Sequence, residues 1–337
     1  MRHFLITLFI FPTILFSQPE QPLLFANSNS PIPILRSLKT IIPKHNITSF
    51  ATDIKKLNWI GTLEGLICYN GKRWVILNTK NSKLPSNKIL CIEIVNNVNY
   101  IGTTEGLVII KNNKWEIYTT KNSALPSNKI RQIKASNNIV WIATSAGLVK
   151  YENEFEVILS KLKNSIYDDD FISLNIDNNE TIWLGTNTGL YSYKKNIWRI
   201  FTTQNSKLPN NHIWSIVVDA QNKKWIGTKK GVVVITNEVW VLFNKKNTPL
   251  KTNIVKSIVC DDYDRIWVST ERGIISYDGE GWKKEKIKNQ KELIISLFID
   301  AFDNKWICTS EGAIVYNLEG VEFKNNSTNE SSVVVSK

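Results

Sequence analysis

The chain has 337 residues, with 42 Lys or Arg against 30 Asp or Glu, which gives a formal net charge of +12. The positive charge comes from 35 Lys and only 7 Arg. Because no Arg-rich cluster is present, the composition argues against nucleic acid as a partner. An anionic glycan or an envelope surface stays open as the partner of a basic protein.

Residues 1–17 have the pattern of a secretory signal peptide. Arg2 and His3 precede a largely apolar run, residues 4–16, and the small residue Ser17 follows it. A run of thirteen residues is too short to cross a bilayer. The pattern therefore predicts cleavage after Ser17 and an exported protein, periplasmic or secreted, without a membrane span after cleavage. An uncleaved membrane anchor is the alternative.

Three further segments come next in chain order. Residues 18–45 contain five Pro among Ser and Asn and predict an irregular N-terminal segment, whose apolar residues 34–42 would either add an outer strand or pack on the first repeat. Residues 46–324 consist of repeats, and residues 325–337 form a polar C-terminal tail that is expected to be loose.

The repeats are marked by an aromatic residue followed by an apolar residue, a small residue and Thr, with Gly three positions after the Thr. The seven aromatic residues are Trp59, Tyr100, Trp141, Trp183, Trp225, Trp267 and Trp306. They are separated by 41, 41, 42, 42, 42 and 39 residues, so one supersecondary unit is repeated at nearly constant length.

Each unit contains four short runs of β-branched and aromatic residues, separated by Asn, Asp, Gly and Lys, and no helical periodicity. Such runs predict four antiparallel strands joined by tight turns. A unit of this size cannot bury both of its faces alone, so it must stack on its copies. The sequence therefore predicts an all-β fold, a seven-bladed β-propeller of four-stranded antiparallel blades. An open solenoid is the alternative, but it usually needs distinct caps.

The turns of the repeat carry recurring residues. In five units an Asp precedes the aromatic residue by six positions: Asp53, Asp177, Asp219, Asp261 and Asp300. We expect this Asp to bond to the backbone of the hairpin between the first two strands; calcium binding is the alternative, although the alternating carboxylates of a calcium loop are missing. The Thr is expected to pack or bond between blades, and the following Gly to permit a positive φ.

The repeats resemble those of the two-component regulator propellers. The likeness is carried by Asn-Ser-x-Leu-Pro-x-Asn, at residues 81–87, 122–128 and 205–211, and by the Trp-Ile-Gly-Thr-x-x-Gly-Leu stretches. It extends over about residues 46–324. The resemblance implies a periplasmic sensor-type propeller that binds ligands, often glycans, and passes a signal to a kinase. In this chain we expect the propeller to stand alone, without a kinase.

The four cysteines lie inside predicted strands: Cys68, Cys91, Cys260 and Cys308. Four cysteines of an exported protein allow three disulfide connectivities. Other repeats place small or apolar residues at these positions, which favours buried free thiols over disulfides.

Candidate site residues come from the loops that enter the first strands and from the turns between the second and third strands, since both sets reach the same face. The candidate ligand-binding residues are Trp214, His212, Arg131, Lys129, Lys88, Glu105 and Lys229. Glu64, Asn187, Lys230, Glu271, Arg272 and Glu311 complete the predicted rim of that face.

Trp214 is the most informative candidate, because the other eleven Trp occupy repeat positions in second or fourth strands. Aligned with it are Thr48, Leu90, Arg131, Ser173, Val255 and Ile295, a mixture that no shared packing rule explains. An aromatic side chain there would stack on a sugar ring or fill a gap between blades.

Catalysis has little support in the sequence. After residue 17 there are two histidines, His45 and His212, in different repeats, and no metal-ligand spacing or nucleophile motif. We therefore expect no catalytic residue, no metal and no cofactor. The predicted function is binding of a glycan or a cell-envelope component. A protein interaction scaffold in the envelope is one alternative, and a lyase-like propeller enzyme is the other.

Overall fold

The computed structural model describes residues 47–70, 74–160, 170–287, 293–301, 303–310 and 312–316. The predicted signal peptide, the N-terminal segment and the C-terminal tail lie outside these residues, as does Glu311. The described residues form strands and no helix, so none of them belongs to a helix able to cross a membrane.

The strands form seven antiparallel sheets, and within each sheet their order follows the chain. Blade one contains β1 (Ile47–Thr52), β2 (Asn58–Thr62), β3 (Leu66–Tyr69) and β4 (Trp74–Leu77). Blade two contains β5 (Ile89–Val95), β6 (Val98–Thr103), β7 (Leu107–Lys111) and β8 (Lys114–Tyr118). Blade three contains β9 (Ile130–Ser136), β10 (Ile139–Thr144), β11 (Gly147–Tyr151) and β12 (Phe155–Ser160). Blade four contains β13 (Ser173–Ile176), β14 (Ile182–Gly185), β15 (Leu190–Lys194) and β16 (Ile197–Phe201).

The remaining blades repeat this layout. Blade five contains β17 (Ile213–Val218), β18 (Lys224–Thr228), β19 (Gly231–Thr236) and β20 (Val239–Phe243). Blade six contains β21 (Val255–Cys260), β22 (Ile266–Thr270), β23 (Gly273–Tyr277) and β24 (Trp282–Glu285). Blade seven contains β25 (Ile294–Ile299), β26 (Lys305–Thr309) and β27 (Gly312–Tyr316), and the fourth strand predicted for this unit lies outside the described residues. The prediction of a seven-bladed β-propeller is confirmed.

The ring closes by packing of blade seven against blade one. Phe50 of β1 and Trp306 of β26 have ring centroids 4.6 Å apart, and Ile47 and Ile60 share an apolar cluster with Trp306 and Cys308. Similar clusters fill the spaces between the other blades. Radial stacking therefore buries the sheet faces that a single repeat would leave exposed.

Close approach between blades explains the Gly of the second strand. A Cβ atom on Gly102 would lie 2.7 Å from Cγ2 of Ile130 in the next blade and would also overlap Sγ of Cys91. The same conflict arises at Gly61 with Ile89 and at Gly185 with Ile213. At these positions Gly permits the first residue of the next blade's first strand to pack directly on the sheet.

The constant spacing between Asp and Trp has a structural cause. Oδ2 of Asp219 accepts a hydrogen bond from the indole Nε1 of Trp225 at 2.8 Å, and Oδ1 accepts one from the backbone N of Lys223 at 2.7 Å. Corresponding indole bonds join the other four pairs. Because these carboxylates accept bonds from N–H donors, the arrangement supports the turn interpretation over calcium binding.

Blades two and three have Ile94 and Ala135 in place of this Asp, and they use a different turn. Asn96 and Asn97 have φ values of 51° and 61°, and the corresponding Asn residues of blade three are similar. Two consecutive residues with positive φ form the tight hairpin that Asn tolerates best.

The turn between the second and third strands is built by the Thr and Gly of the repeat. Oγ1 of Thr228 donates to the carbonyl of Gly231 at 2.8 Å and accepts from the backbone N of Lys230 at 3.0 Å. Gly231 has a φ of 126°, as expected for this position. Of the expectation that the Thr packs or bonds between blades, the bonding part is wrong, because its hydroxyl satisfies the backbone of its own turn.

Candidate functional site

The Asn-Ser-x-Leu-Pro-x-Asn motif forms the loop that carries the chain from an outer strand to the next inner strand. Oδ1 of Asn205 accepts from the backbone N of Thr202 at 2.7 Å, and Oδ1 of Asn211 accepts from the backbone N of Thr203 at 2.7 Å. Leu208 is buried beneath the loop. The motif therefore has a structural role, which is to hold in a fixed shape the face of the propeller that carries the predicted site residues.

A fourth copy of this loop joins blades five and six, although its sequence, residues 247–253, departs from the motif. Asn247 and Asn253 accept the corresponding backbone bonds at 2.8 and 2.9 Å, and Leu250 takes the buried position. The two Asn at the ends of the motif were the signal by which sequence reasoning could have found it.

We call the first strand of each blade its inner strand. In six blades the pairing between the inner strand and the second strand skips the second residue of the inner strand. The skipped residues are Thr48, Leu90, Arg131, Trp214, Lys256 and Ile295. A bulge leaves its residue without a ladder partner and changes the direction of the side chain. Thr48, Leu90, Trp214 and Lys256 line a cavity of about 600 Å³ that is bounded by all seven inner strands.

This register corrects the sequence alignment around Trp214. Ser173 and Val255 are not its counterparts. Ser173 pairs with Gly185, just as Ser215, the residue after Trp214, pairs with Gly227. Val255 pairs with Thr270, just as Ile213, the residue before Trp214, pairs with Thr228. The counterparts are Ile172 and Lys256. The alignment was wrong by one residue because a bulge shifts the apolar alternation that sequence reasoning depends on.

Lys256 is therefore the neighbour of Trp214 on the next blade, and sequence reasoning missed it. Its Nζ lies 4.6 Å from the centroid of the Trp214 ring, and Nζ of Lys229 lies 5.6 Å from the same centroid. The imidazole of His212 meets the indole edge to face, with centroids 4.7 Å apart. We call His212, Trp214, Lys229 and Lys256 the mouth site.

The charges at the mouth site are partly compensated. Nζ of Lys256 forms an ion pair of 2.9 Å with Oε1 of Glu271, which lies in the turn between β22 and β23. Burial and the positive charges of Lys229 and Lys256 lower the pKa of His212 below its usual value. This shift disfavours protonation of the imidazole, so the excess of positive charge at the mouth site comes from the two lysines.

The other predicted site residues lie on the same face but in different blades. Nε of Arg131 donates to Oδ1 of Asp170 at 2.8 Å, and this ion pair links blade three to the segment that enters blade four. Lys88 and Lys129 lie in the loops before β5 and β9, and Glu105 lies in the turn after β6. The structure thus brings three of the seven predicted residues together, namely His212, Trp214 and Lys229.

The described residues contain no cluster of three His, Cys, Asp or Glu side chains able to hold a metal ion. All four cysteines are free thiols; three are buried and Cys260 is partly exposed. The preference for free thiols over disulfides is confirmed.

The sequence matches no protein family and no curated protein. Among solved structures, the fold is similar to the extracellular domain of a B. thetaiotaomicron protein described as a hybrid two-component system, with a TM-score of 0.69 and 24% identity. The match covers 81% of this chain but 39% of that chain. The resemblance to two-component regulator propellers is thereby confirmed for the fold.

Two other propellers are similar to the chain at lower identity. One is a virginiamycin B lyase from Staphylococcus aureus with quinupristin, with a TM-score of 0.65, 11% identity and coverage of 80% of this chain and 94% of that one. The other is YCF48 from Cyanidioschyzon merolae, with a TM-score of 0.63, 10% identity and coverage of 86% and 98%. At such identities the likeness establishes the fold alone.

Proposed function

We propose that this protein is an exported, non-catalytic propeller that binds a glycan or another cell-envelope component at the mouth site. The observation that carries the proposal is the bulged, partly exposed Trp214, with two ammonium groups and an imidazole around its ring. A rigid aromatic surface with a few convergent polar groups is the usual composition of a small-molecule site.

The position of the mouth site supports ligand binding rather than a role in folding. The indoles of the repeat Trp residues 59, 183, 225, 267 and 306 are buried and bonded to Asp, whereas the Trp214 ring lines the cavity. Since a partly exposed Trp adds less to blade packing than a buried one, its place at the cavity is better explained by an external partner.

Export is supported by the signal-like residues 1–17 and by the extracellular location of the similar sensor domain. Expression of the full chain in a bacterial host, followed by mass spectrometry of the periplasmic product, tests this part. We expect a mass that corresponds to loss of residues 1–17. A full-length product held in the membrane fraction would contradict export in this form.

Ligand binding is tested by thermal unfolding of the exported product with a panel of neutral and acidic oligosaccharides. A ligand at about 100 times its dissociation constant stabilises the folded state by about 2.7 kcal/mol. We expect one class of oligosaccharide to raise the unfolding temperature, and Trp214→Ala to abolish the increase. Trp214→Phe, which retains an aromatic ring, should keep part of it. A panel without effect on a well-folded protein would refute glycan binding.

A protein partner in the envelope is the second candidate. It is favoured by two exposed apolar side chains at the start of the inner strand of blade seven, Leu293 and Ile295, which are 56% and 39% exposed. YCF48, one of the similar propellers, has been solved with a bound D1 peptide. Photo-crosslinking from position 293 in living cells would identify such a partner, whereas the same probe at Lys121 on blade two should not.

A further inference from the structure

The two lysines of the mouth site retain hydrogen-bonding capacity. Each ammonium group has three N–H donors. Its contact with an aromatic ring is an electrostatic attraction to the ring face, which leaves N–H donors for other partners. Lys256 directs one donor to Glu271. Within the described residues, Lys229 forms no ion pair. Both ammonium groups can therefore bind an oxygen of a ligand while they stay beside Trp214.

The charges around the ring favour an anion. Lys229 and Lys256 belong to neighbouring blades, and Glu271 supplies the single carboxylate paired with them among the described residues. Lys230 and Arg272, which follow in the same turns, are exposed and add positive charge. The Arg131 and Asp170 pair on the other side of blade four is neutral as a unit. A neutral ligand would leave this excess of positive charge uncompensated.

We propose that the mouth site selects a saccharide that carries an acidic group, which binds Lys229 and Lys256 while the sugar ring contacts Trp214. This inference rests on the proposed function, because it specifies the class of glycan. Hydrogen bonds between an ammonium group and a carboxylate are about twice as strong as neutral ones, so the acid should contribute strongly to selectivity.

A matched pair of probes tests the charge alone. Trigalacturonic acid and its fully methyl-esterified form have the same sugar rings, but the ester lacks the negative charges. Titration calorimetry of the exported protein should show that the acid binds at least about 10-fold more tightly than the ester, which corresponds to about 1.4 kcal/mol. The affinity for the acid should fall as the salt concentration rises, since salt screens exposed charges.

Lysine variants locate the effect. Lys229→Met and Lys256→Met should each weaken binding of the acid about 10-fold and reduce its advantage over the ester. Lys121→Met removes an equal charge from an exposed loop between blades two and three and is the control. Lys256→Gln keeps a polar side chain and serves as a second variant if Lys256→Met fails to fold.

The imidazole of His212 gives an independent readout by NMR titration. Burial and the two lysines lower its pKa. A bound acid group would oppose the field of the lysines and raise the pKa, whereas the ester lacks the charge to do so. Glu271, which pairs with Lys256, and Lys230, which follows Lys229 in the chain, are to be checked as variants.

The outcomes separate the two proposals. Equal binding of acid and ester, abolished in both cases by Trp214→Ala, would overturn the acidic selectivity and leave glycan binding in place. Preference for the neutral ester would likewise overturn the acidic selectivity and leave glycan binding in place. Failure of trigalacturonic acid together with every other uronate-containing or sulfated oligosaccharide overturns the acidic selectivity, and failure of the neutral sugars as well overturns both.

Discussion

The ammonium group of Lys305 in blade seven lies 3.2 Å from Oδ2 of Asp261 in blade six, and both side chains are completely buried. The same carboxylate oxygen accepts the indole N–H of Trp267 at 2.8 Å. Lys224 of blade five reaches Asp177 of blade four in the same way, at 3.1 Å. In both cases a Lys that directly precedes the repeat Trp joins its blade to the Asp of the preceding blade.

Loss of Lys305 should therefore destabilise the ring strongly. Lys305→Met leaves the buried carboxylate of Asp261 without its counter-ion, and breaking a buried pair in this way costs about 3–5 kcal/mol. Guanidinium unfolding gives the difference. Lys283→Met, which breaks an exposed pair with Asp278, should have a far smaller effect, because solvent screens the pair. Similar losses in the two variants would show that the buried pair is unimportant.

Stability should decline in acid through the same carboxylates. Burial by itself raises the pKa of Asp261, but hydrogen bonds from Trp267 and the backbone of Arg265, together with Lys305, bring the pKa below its usual value. Asp177 behaves likewise through Trp183, Thr181 and Lys224. A lowered folded-state pKa gives stability that is fully present above the unfolded-state value of about 3.9 and is lost as the pH falls through the folded-state value.

Urea unfolding from pH 7 to pH 2 measures this dependence. The free energy of unfolding should be flat with respect to these two groups near neutral pH and should fall below about pH 4. Asp261→Asn, although less stable at pH 7, should show a shallower fall because one titrating group is missing. An unchanged slope in that variant would exclude Asp261 as a contributor.

Gly102 of β6 should not tolerate a methyl group. In Gly102→Ala the new Cβ would overlap Ile130 of the next blade and Cys91 of its own blade, and overpacking of this kind costs about 1–3 kcal/mol. Gly281→Ala is the control, because a Cβ at that turn position meets no atom within 4 Å. Differential scanning calorimetry of the two variants should show a lower unfolding temperature for Gly102→Ala alone.

The four thiols should resist alkylation in the folded protein. Burial raises the pKa of Cys308 to about 12, and burial together with Asp264 raises the pKa of Cys260 to about 12. Burial also raises the pKa values of Cys68 and Cys91. Since the thiolate is the nucleophile, iodoacetamide at pH 7.5 should label none of them natively and all four in guanidinium, as counted by mass spectrometry. Rapid native labelling of Cys260 would contradict its raised pKa.

The propeller could be predicted from the sequence because its determinants are local and repeated. The pairing of Asp219 with Trp225 is set by residues six positions apart, and the Thr228 turn by residues three positions apart. Repetition then makes each of these signals visible several times. How the ring closes could not be predicted; the structure shows it in the packing of Phe50 against Trp306.

The mouth site was predicted only in part, for two physical reasons. The bulge at Trp214 adds a residue without a ladder partner, so strand alternation does not show that Lys256 is its counterpart. Contacts between blades also join residues about 40 positions apart, such as Arg131 and Asp170. Such contacts depend on how the blades are placed around the ring, which local patterns do not contain.

The bulges in the inner strands have a consequence for how this propeller can change. A bulged residue takes no part in the ladder, so replacing its side chain removes no backbone bond from the sheet. Thr48, Leu90, Arg131, Trp214, Lys256 and Ile295 can therefore vary while the repeat residues of every blade stay as they are. Grafting Trp and Lys onto two other adjacent bulges, Thr48→Trp with Leu90→Lys, would show whether recognition can be moved around the ring independently of folding.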